Sequence, residues 1–343
     1  MAAIRSKPAG ELALIEQIRR TFTPGRASRH KGVSLGIGDD CAILRPRAGH
    51  EIVVTTDFTL ENRHFQRSLH PPAAVGHRCL ARGLSDLAAM GAKPLAAFLS
   101  LALPRQILQT ARGRRWIGDF LEGMRALAHQ FDTPLAGGDT SESPQDLIFA
   151  DIILVGTAPR GRSLLRSGAH AGDALYVTGS LGGAQAELSA LLKRDRRPRA
   201  DRSGQHPHLF PQPRLAVGSA LLRRHMASAA IDLSDGLSTD LTHLCQSSRL
   251  RAEVDAALLP LHPLAARLSS ANALTAALNG GEDYELLFAA KPSIRVPSRI
   301  ADVPITRIGT LFPRNARRPL ITLHGSDGSS TELKPGGWEH FAS

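Results

Sequence analysis

The sequence is poor in aromatic residues and in cysteine, and each shortage excludes a class of protein. Aromatic residues are 4% of the 343 residues, so we do not expect a surface that binds single-stranded nucleic acid by stacking bases on rings. The three cysteines, Cys41, Cys79 and Cys245, contain no CxxC pair, which argues against a disulfide framework and a thiolate metal site.

Long apolar runs are also missing. No stretch approaches the 18 or so uncharged apolar residues that cross a bilayer, and the N-terminus has no apolar segment ending in a small-residue cleavage site. We therefore expect a soluble, cytoplasmic protein with no membrane partner.

The net charge is +11, with 42 Lys and Arg against 31 Asp and Glu. Only six of the 42 basic residues are lysines, so the excess is guanidinium, which suits bidentate contacts with phosphate or carboxylate. A basic nucleic-acid-binding protein is one alternative, and it predicts affinity for generic DNA or RNA that falls steeply with salt. The low aromatic content and the lack of a recognisable reading motif argue against a nucleic-acid partner.

The length predicts two domains, and strand-length apolar runs alternate with helix patterns, which is typical of an α/β fold. In the first half we predict strands over 33–37, 51–55, 96–103 and 147–155, with helices over 73–90 and 116–130. In the second half we predict strands over 174–178, 229–231, 284–289 and 305–308, with helices over 184–193 and 237–246.

The pattern breaks between residues 157 and 166, which predicts domains over residues 1–160 and 161–343. The segment 193–214 is rich in Arg, Pro and His, and we predict that it is an exposed excursion between elements.

Aspartates follow four separate strand-like segments, and a fifth site lies in a predicted helix. These residues are Asp39 and Asp40, Asp57, Asp139, Asp232 with Asp235, and the helical Asp86. Ligands of an open α/β sheet bind outside the carboxyl ends of its strands, so these acids could converge on one crevice. Two carboxylates 4 Å apart repel by about 4 kcal/mol at an effective dielectric near 20, so a cation must lie among them. Oxygen ligands beside Gly, Ser and Thr suit Mg²⁺ shared with substrate phosphates. For each Asp alone, a helix cap or turn is the alternative.

Other nucleotide-binding signatures are weak. No GxxxxGK[ST] motif and no protein-kinase motif set is present. The turn over 179–183 either cradles a phosphate or is a tight strand-to-helix turn, and the acidic segment 280–285 is either a site or solvated surface. Trp338 is either a packing anchor or a lid over a flat ring, and a lone histidine such as His64 is usually structural.

Taken in order, these segments resemble the thiamine-monophosphate kinase family, within the aminoimidazole ribonucleotide synthetase superfamily. The resemblance rests on GIGDDCAIL (36–44), TTDFTLENRHF (55–65), LSDLAAMGAKP (84–94), AGGDTS (136–141), LLRSGAHAGDALYVTG (164–179), IDLSDGLSTDL (231–241), GGEDYELLF (280–288) and KPGGWEHF (334–341). It covers nearly the whole chain. The TTD motif with a downstream HF, and GGEDYE with a C-terminal Gly-aromatic-x-HF, separate this family from its superfamily relatives.

The resemblance implies transfer of a phosphoryl group from ATP to thiamine monophosphate, with several Mg²⁺ ions, yielding thiamine diphosphate and ADP. It implies two α/β domains with mixed sheets, whose N-terminal domains pair in a homodimer. It assigns metal binding to Asp40, Thr55, Thr56, Asp57, Asp86, Asp139, Asp232 and Asp235. It assigns ATP binding to Gly138, Asp139, Arg166 and Ser234, and contacts with the thiamine to His64, Glu282 and Trp338. Asp39 is a neighbour of the matched Asp40.

We expect direct in-line transfer without a dedicated general base, because the acceptor phosphate is already largely ionised near neutral pH. One alternative is another ATP-using synthetase of the superfamily, of the aminoimidazole ribonucleotide, selenophosphate or formylglycinamide kind, and another is an inactive metal-binding scaffold. The chain also departs from the family's Arg-Pro-x-Pro-Arg segment, because Phe210 stands where the first Arg is expected, while Arg214 remains.

Overall fold

The computed structural model describes residues 10–22, 32–194, 206–338 and 341. Within these ranges every helix is too short or too polar to span a membrane. The expected alternation of strands and helices is present in both halves of the chain, and the sheets contain both parallel and antiparallel pairs. The prediction of an α/β fold with mixed sheets is confirmed.

The first half builds a four-stranded sheet with helices on one face. Its elements are α1 (Glu11–Phe22), β1 (Val33–Leu35), β2 (Ile43–Leu44), β3 (His50–Leu60), α2 (Pro72–Ala89), β4 (Lys93–Leu103), α3 (Arg105–Gln109), α4 (Ala111–Gln130), β5 (Leu135–Glu142) and β6 (Phe149–Pro159). The strand order is β3-β6-β4-β5, in which only β4 and β5 are parallel. β1 and β2 form a separate small ribbon.

The second half builds an eight-stranded sheet. Its elements are β7 (Ala174–Thr178), α5 (Gly183–Arg194), α6 (Leu215–Arg223), β8 (Ala229–Asp232), α7 (Leu237–Ser248), β9 (Leu250–Asp255), two 3-10 turns (Ala256–Leu258 and Ala265–Arg267), α8 (Ser270–Asn279), β10 (Leu286–Ala290), β11 (Arg299–Ile300), β12 (Val303–Pro313), β13 (Ile321–His324) and β14 (Ser330–Glu332). The order is β14-β13-β9-β12-β7-β10-β8, with β11 paired to β12. β10 is buried along its whole length.

Helix α2 lies at the centre of the molecule and packs closely against α4. A Cβ built on Gly76 of α2 would lie 1.9 Å from the carbonyl oxygen of Phe120, and one built on Gly123 of α4 would lie 1.9 Å from that of Ala73. Neither position accepts a side chain, so these two glycines set the separation of the helices. α2 also contacts α6 and β8 of the second half.

The four-residue spacing of Arg78, Arg82 and Asp86 places these polar side chains one turn apart on one face of α2. That face is turned towards the second half, where Glu282 and Asp232 lie. A mostly buried helix therefore carries a line of charged groups into the space between the two halves.

The prediction that residues 193–214 form an exposed excursion is wrong for the part that the structure describes. His208, Leu209 and Phe210 are buried, and Leu209 and Phe210 pack with Ala74 and Leu191. The carboxylate of Glu187 accepts hydrogen bonds from the backbone N–H groups of His208 (2.8 Å) and Leu209 (3.3 Å), which satisfies the backbone of this buried segment. Residues 195–205 lie outside the described residues.

Phe210 and Arg214 mark the two ends of the segment that departs from the family pattern. Phe210 packs edge-on against His77, with ring centroids 5.2 Å apart, so this position makes an apolar contact with α2 where the family has a charged residue. Arg214 binds both carboxylate oxygens of Glu285. Arg214, the arginine that this segment retains, thus forms an ion pair with the residue that precedes β10.

Candidate active site

A cleft of about 630 Å³ lies between the two halves. It is lined by the connection between β3 and α2, by α2 and α5, by the loop after β8, by residues 281–284 and by the C-terminal residues 336–338. The predicted site residues that line it are Asp57, His64, Asp86, Asp232, Ser234, Asp235, Glu282 and Trp338. Acids that the sequence separates by more than 170 residues therefore share one cavity.

One end of the cleft is a group of three carboxylates, Asp57 on β3, Asp86 on α2 and Asp232 at the end of β8. Burial and the charge of Asp86 together raise the pKa of Asp57 to about 6 and that of Asp232 to about 7, although the Arg82 charge offsets part of the rise at Asp57. Burial also raises the pKa of Asp86. Ionising all three together is unfavourable unless a cation lies among them.

Two hydroxyl groups fix this carboxylate group. Thr55 donates a hydrogen bond to Asp86, and Ser85 Oγ donates to Asp232 Oδ2 at 2.7 Å. Side chains alternate along a strand, so Thr55 shares the inner face of β3 with Asp57. The Thr55 hydroxyl group thus fixes the orientation of the Asp86 carboxylate.

The residues at this end fit Mg²⁺ held in part by substrate. All the donors are hard oxygen atoms, which Mg²⁺ prefers. Among the described residues, no three Asp, Glu, His or Cys side chains are close enough together to enclose one ion. Mg²⁺ is commonly held by one or two carboxylates, waters and substrate phosphates rather than by an all-protein cage, so this arrangement suits it.

A second group of charged residues in the cleft surrounds Glu282. Arg78 Nη2 donates to Glu282 Oε1 at 2.6 Å, and Arg82 Nη1 lies 3.5 Å from the same oxygen. His208 Nδ1 lies 3.1 Å from Glu282 Oε2. The Arg78 charge is the main group that holds the pKa of Glu282 below its usual range, against the effect of burial. Glu282 therefore remains an anion in a largely buried position.

The backbone around Glu282 is strained. Glu282 and Tyr284 have φ angles of 67° and 50°, a region that costs a non-glycine residue of the order of 1–3 kcal/mol. Hydrogen bonds hold the segment against the loop after β8, from Glu282 N to Ser234 O (2.8 Å) and from Tyr284 N to Leu233 O (2.9 Å). The segment 280–285 is thus a built part of the cleft and not solvated surface.

Two buried histidines lie next to Glu282, one of them in contact with its carboxylate. The Nε2 atoms of His70 and His208 are 3.0 Å apart, so one ring donates a hydrogen bond to the other. Burial lowers the pKa of both, that of His70 to about 3, and both rings are neutral near pH 7. The carboxylate of Glu282 favours a proton on His208 Nδ1, which leaves His208 Nε2 to accept from His70.

The C-terminal residues form a strap across the mouth of the cleft. Gly336 N and Gly337 N donate to Ser238 Oγ (3.1 Å) and Thr239 Oγ1 (3.2 Å), and Trp338 N donates to Asp235 O (3.0 Å). A Cβ on Gly337 would lie 1.9 Å from Asp235 O, so only glycine permits this approach. The Trp338 ring is 47% exposed, with the Arg63 guanidinium 6.0 Å from its centroid. This exposure favours a lid over a packing anchor.

Residues that the sequence analysis did not assign to the site also shape the cleft, among them Arg82, His208, Asp240 and Asp283. Asp240 Oδ2 accepts from Asp235 N and Gly236 N, both at 3.1 Å, and so fixes the loop after β8. Burial raises its pKa to about 8. The sequence shows an acidic residue, Asp240, early in α7. It does not show that this residue binds the loop after β8.

Asp283 decides between the two interpretations of the turn over 179–183. Its carboxylate accepts from Gly182 N at 2.6 Å and Ala184 N at 3.1 Å, and burial raises its pKa to about 7. The amides that would cradle a phosphate already bind a carboxylate of the chain itself. The turn is therefore a structural start of α5.

The remaining predicted site residues do not line the cleft. They are Asp40, Thr55, Thr56, Gly138, Asp139 and Arg166. Thr56 lies on the outer face of β3 and donates to Asp151 Oδ1 at 2.7 Å, while Asp40 and Asp139 are exposed. Arg166 is exposed, yet its charge lowers the pKa of Asp86 and Asp232. The roles of these residues stay predictions.

Comparisons of this chain with family models and with known proteins point to the same family. Residues 38–158 match the family described as AIR synthase related protein, N-terminal domain, and residues 170–310 match its C-terminal domain. The chain is 38% identical over 340 residues to thiamine-monophosphate kinase of Escherichia coli K12, covering 97% of this chain and 98% of that protein.

Two solved structures are also similar. Thiamine-monophosphate kinase from Stenotrophomonas maltophilia K279a superposes with a TM-score of 0.77 at 35% identity, covering 94% of this chain and 98% of that one. An AaThiL structure complexed with AMPPCP and TMP superposes with a TM-score of 0.72 at 30% identity, covering 99% of this chain and 100% of that one.

Proposed function

The chain belongs to the thiamine-monophosphate kinase family, and we propose that its cleft transfers the γ-phosphoryl group of ATP to thiamine monophosphate, yielding thiamine diphosphate and ADP. The observation that carries this proposal is one cleft lined by two kinds of group: a buried carboxylate group at Asp57, Asp86 and Asp232, and an ionised Glu282 together with the half-exposed Trp338. The first suits metal-bound phosphates, and the second suits a flat cationic ring system.

Mg²⁺ is the proposed metal, in several ions. Asp57, Asp86, Asp232 and Asp235 would hold it inside the cleft, and the family resemblance adds Asp40, Thr55, Thr56 and Asp139. When bound, Mg²⁺ supplies positive charge that neutralises the phosphates. The raised pKa values of Asp57 and Asp232 support this assignment, because they mark a place where a cation relieves repulsion.

ATP is proposed to bind beside the carboxylate group through Gly138, Asp139, Arg166 and Ser234. Ser234 lines the cleft next to Asp235, and the Arg166 charge acts on Asp86 and Asp232. These two observations support a phosphate-binding role near the metal ligands.

The thiamine portion of the acceptor is proposed to bind beside Glu282. Trp338 would cover a ring, His64 would line its pocket, and Glu282 would face its positive charge. Arg78 and His208 contact the two carboxylate oxygens of Glu282, which keeps the carboxylate in a fixed orientation. This preorganisation supports binding of the ring in one pose.

In this mechanism the chain's own residues position the two reactants and exclude water. The acceptor oxygen is ionised near neutral pH, so no residue needs to remove a proton, and none in the cleft is assigned that role. Transfer is direct and in line, without a covalent enzyme intermediate. The strap that carries Trp338 narrows the mouth of the cleft, which supports exclusion of water during transfer.

We also propose a cytoplasmic homodimer, with a domain boundary at residues 160 and 161. Ile52, Val54 and Phe58 on the outer face of β3 are 45%, 60% and 59% exposed. A strip of large apolar side chains on an open sheet face supports an interface between copies of the N-terminal half.

The test is incubation of the purified protein with ATP, Mg²⁺ and thiamine monophosphate, followed by chromatography for thiamine diphosphate and ADP. We expect both products, neither in a metal-free control, and no ADP with substrates of the related synthetases. Turnover with one of those substrates and not with thiamine monophosphate would favour another activity of the superfamily.

A further inference from the structure

Arg82 lies between two acids of the cleft. Its Nε is 3.6 Å from Asp57 Oδ1 in the carboxylate group, and its Nη1 is 3.5 Å from Glu282 Oε1. Charge-assisted hydrogen bonds of guanidinium groups are typically about 2.7–2.9 Å long. Arg82 is therefore placed midway between two acids without being tightly bound by either.

The guanidinium of Arg82 has few hydrogen bonds for its position. Its side chain is 17% exposed, and its buried Nε has no hydrogen-bond partner among the residues that the structure describes. Arg78, one turn earlier on α2, instead donates to Glu282 at 2.6 Å and to His64 O at 2.8 Å. Buried donors are normally satisfied, and the Nε of Arg78 is also unpartnered among the described residues. What distinguishes Arg82 is that its contact with Glu282 is long and that its side chain lines the cleft, where a ligand can complete the bonding of its outer N–H groups.

We propose that Arg82 binds the phosphate group of the acceptor and thereby makes the cleft prefer a phosphorylated acceptor to an unphosphorylated one. This inference rests on the proposed function. If the ring of the acceptor lies by Glu282 and its phosphate must meet ATP at the carboxylate group, a guanidinium within 3.6 Å of both Asp57 and Glu282 is within reach of that phosphate. A guanidinium presents paired N–H groups that match two phosphate oxygens.

The local charge supports the same role. Asp57 and Glu282 flank this point, and both would repel an incoming phosphate. Arg82 is the cation located between them and offsets that repulsion. Arg63, another arginine lining the cleft, stands over Trp338, where it faces the ring portion of a ligand.

The test compares binding of thiamine with binding of thiamine monophosphate by calorimetry, with Mg²⁺ and without ATP, so that no turnover occurs. The proteins are wild type, Arg82→Gln, Arg82→Lys and Arg63→Gln. Wild type should bind thiamine monophosphate more tightly than thiamine. In Arg82→Gln we expect thiamine affinity within about twofold of wild type and a loss of roughly 10- to 100-fold for thiamine monophosphate.

Arg63→Gln is the matched control, because it removes the same charge from the same cleft. It should weaken both ligands by a similar factor. Arg82→Lys keeps the charge without the paired N–H groups, and we expect a loss of about 3- to 10-fold confined to thiamine monophosphate. If Arg82→Gln does not fold, the inference is tested by Arg82→Lys, through the ratio of its affinities for thiamine monophosphate and thiamine.

An equal loss for both ligands in the Arg82 variants, or an unchanged ratio, would overturn the inference. A larger phosphate-specific loss in Arg63→Gln would overturn it as well. The proposed function is tested separately by product formation in wild type. Suppose that wild type forms no thiamine diphosphate, but that the Arg82 variants lose affinity for thiamine monophosphate and not for thiamine. The phosphate site at Arg82 would then be supported and the proposed reaction would be wrong.

Discussion

Arg78 and Glu282 are 204 positions apart in the chain, and a 2.6 Å hydrogen bond joins them at the base of the cleft. The Arg78 side chain is 3% exposed and that of Glu282 is 22% exposed. This pair connects α2 of the first half with the strained loop before β10 in the second half. Docking of the two halves and orientation of the acceptor-side carboxylate therefore depend on the same contact.

We expect Arg78→Met to lower the free energy of unfolding by about 3 kcal/mol, because it leaves a buried carboxylate without its main partner. Urea denaturation at pH 7 measures the change. Arg19→Met is the matched control, since Arg19 pairs with Glu16 on an exposed helix face, and its expected effect on the free energy of unfolding is much smaller. Equal effects of the two substitutions would contradict the importance of the buried pair.

The carboxylate group predicts a dependence of stability on pH that Mg²⁺ alters. Burial raises the pKa of Asp57 to about 6 and of Asp232 to about 7, above the value of about 4 in an unfolded chain. At these two acids the folded protein therefore binds more protons than the unfolded chain between pH 4 and 7, and their contribution to the free energy of unfolding falls as pH rises through that window. Mg²⁺ favours the ionised acids and should reduce the fall.

Urea denaturation from pH 5 to 8, in EDTA and in saturating Mg²⁺, measures this effect. Asp283, whose pKa burial raises to about 7, contributes a further fall, and His70, whose pKa burial lowers to about 3, contributes a rise. Both contributions are common to the two series, so the informative quantity is the difference between them. Asp232→Asn should reduce that difference. Parallel curves with and without Mg²⁺ would argue against a cation site at these acids.

The strap predicts a specific sensitivity at Gly337. Gly337→Ala puts a Cβ 1.9 Å from Asp235 O, which displaces Trp338 from the mouth of the cleft. We expect KM for thiamine monophosphate to rise roughly tenfold while KM for ATP changes less than about twofold. Gly118→Ala, a helix glycine with room for a methyl group, is the control and should leave both constants unchanged. Steady-state kinetics measures both constants. An unchanged KM for thiamine monophosphate in Gly337→Ala would contradict a role for Trp338 in binding the acceptor.

The exposed face of β3 predicts the oligomeric state. We expect a dimer at micromolar concentration, and Phe58→Asp should weaken it by about 3 kcal/mol or more than 100-fold in Kd, because a charge enters an apolar interface. Leu12→Asp, at an 82% exposed position on α1, should leave the dimer intact. Sedimentation velocity distinguishes the outcomes, and a monomeric wild type would refute the proposed pairing.

Local patterns in the sequence predicted the fold class and part of the site. The strand over 174–178 matches β7, and Asp57 and Asp232 do share a cleft. The expected reason is wrong, because Asp57 lies within β3 of the first sheet and Asp232 at the end of β8 of the second, so docking of the two halves brings them together. The alternation of side chains along β3 could also have separated Thr55 from Thr56, which faces the opposite side of the sheet.

Contacts between distant segments could not be predicted in this way. The segment around His208 is polar in composition, and its burial depends on Glu187, a residue in a different element that satisfies its backbone. The place of Arg82 between Asp57 and Glu282 likewise follows from the docking of two halves. One sequence without tertiary information carries no sign of either relationship.

The most direct test of the account is the amount of thiamine diphosphate formed for each ADP released, in wild type and in Asp57→Asn. Asp146→Asn, at a side chain that is 73% exposed, is the matched control. We predict one thiamine diphosphate per ADP in wild type and in Asp146→Asn, and a loss in kcat of at least about 100-fold in Asp57→Asn at saturating Mg²⁺. ADP release without thiamine diphosphate in wild type, or normal turnover in Asp57→Asn, would contradict phosphoryl transfer at this carboxylate group.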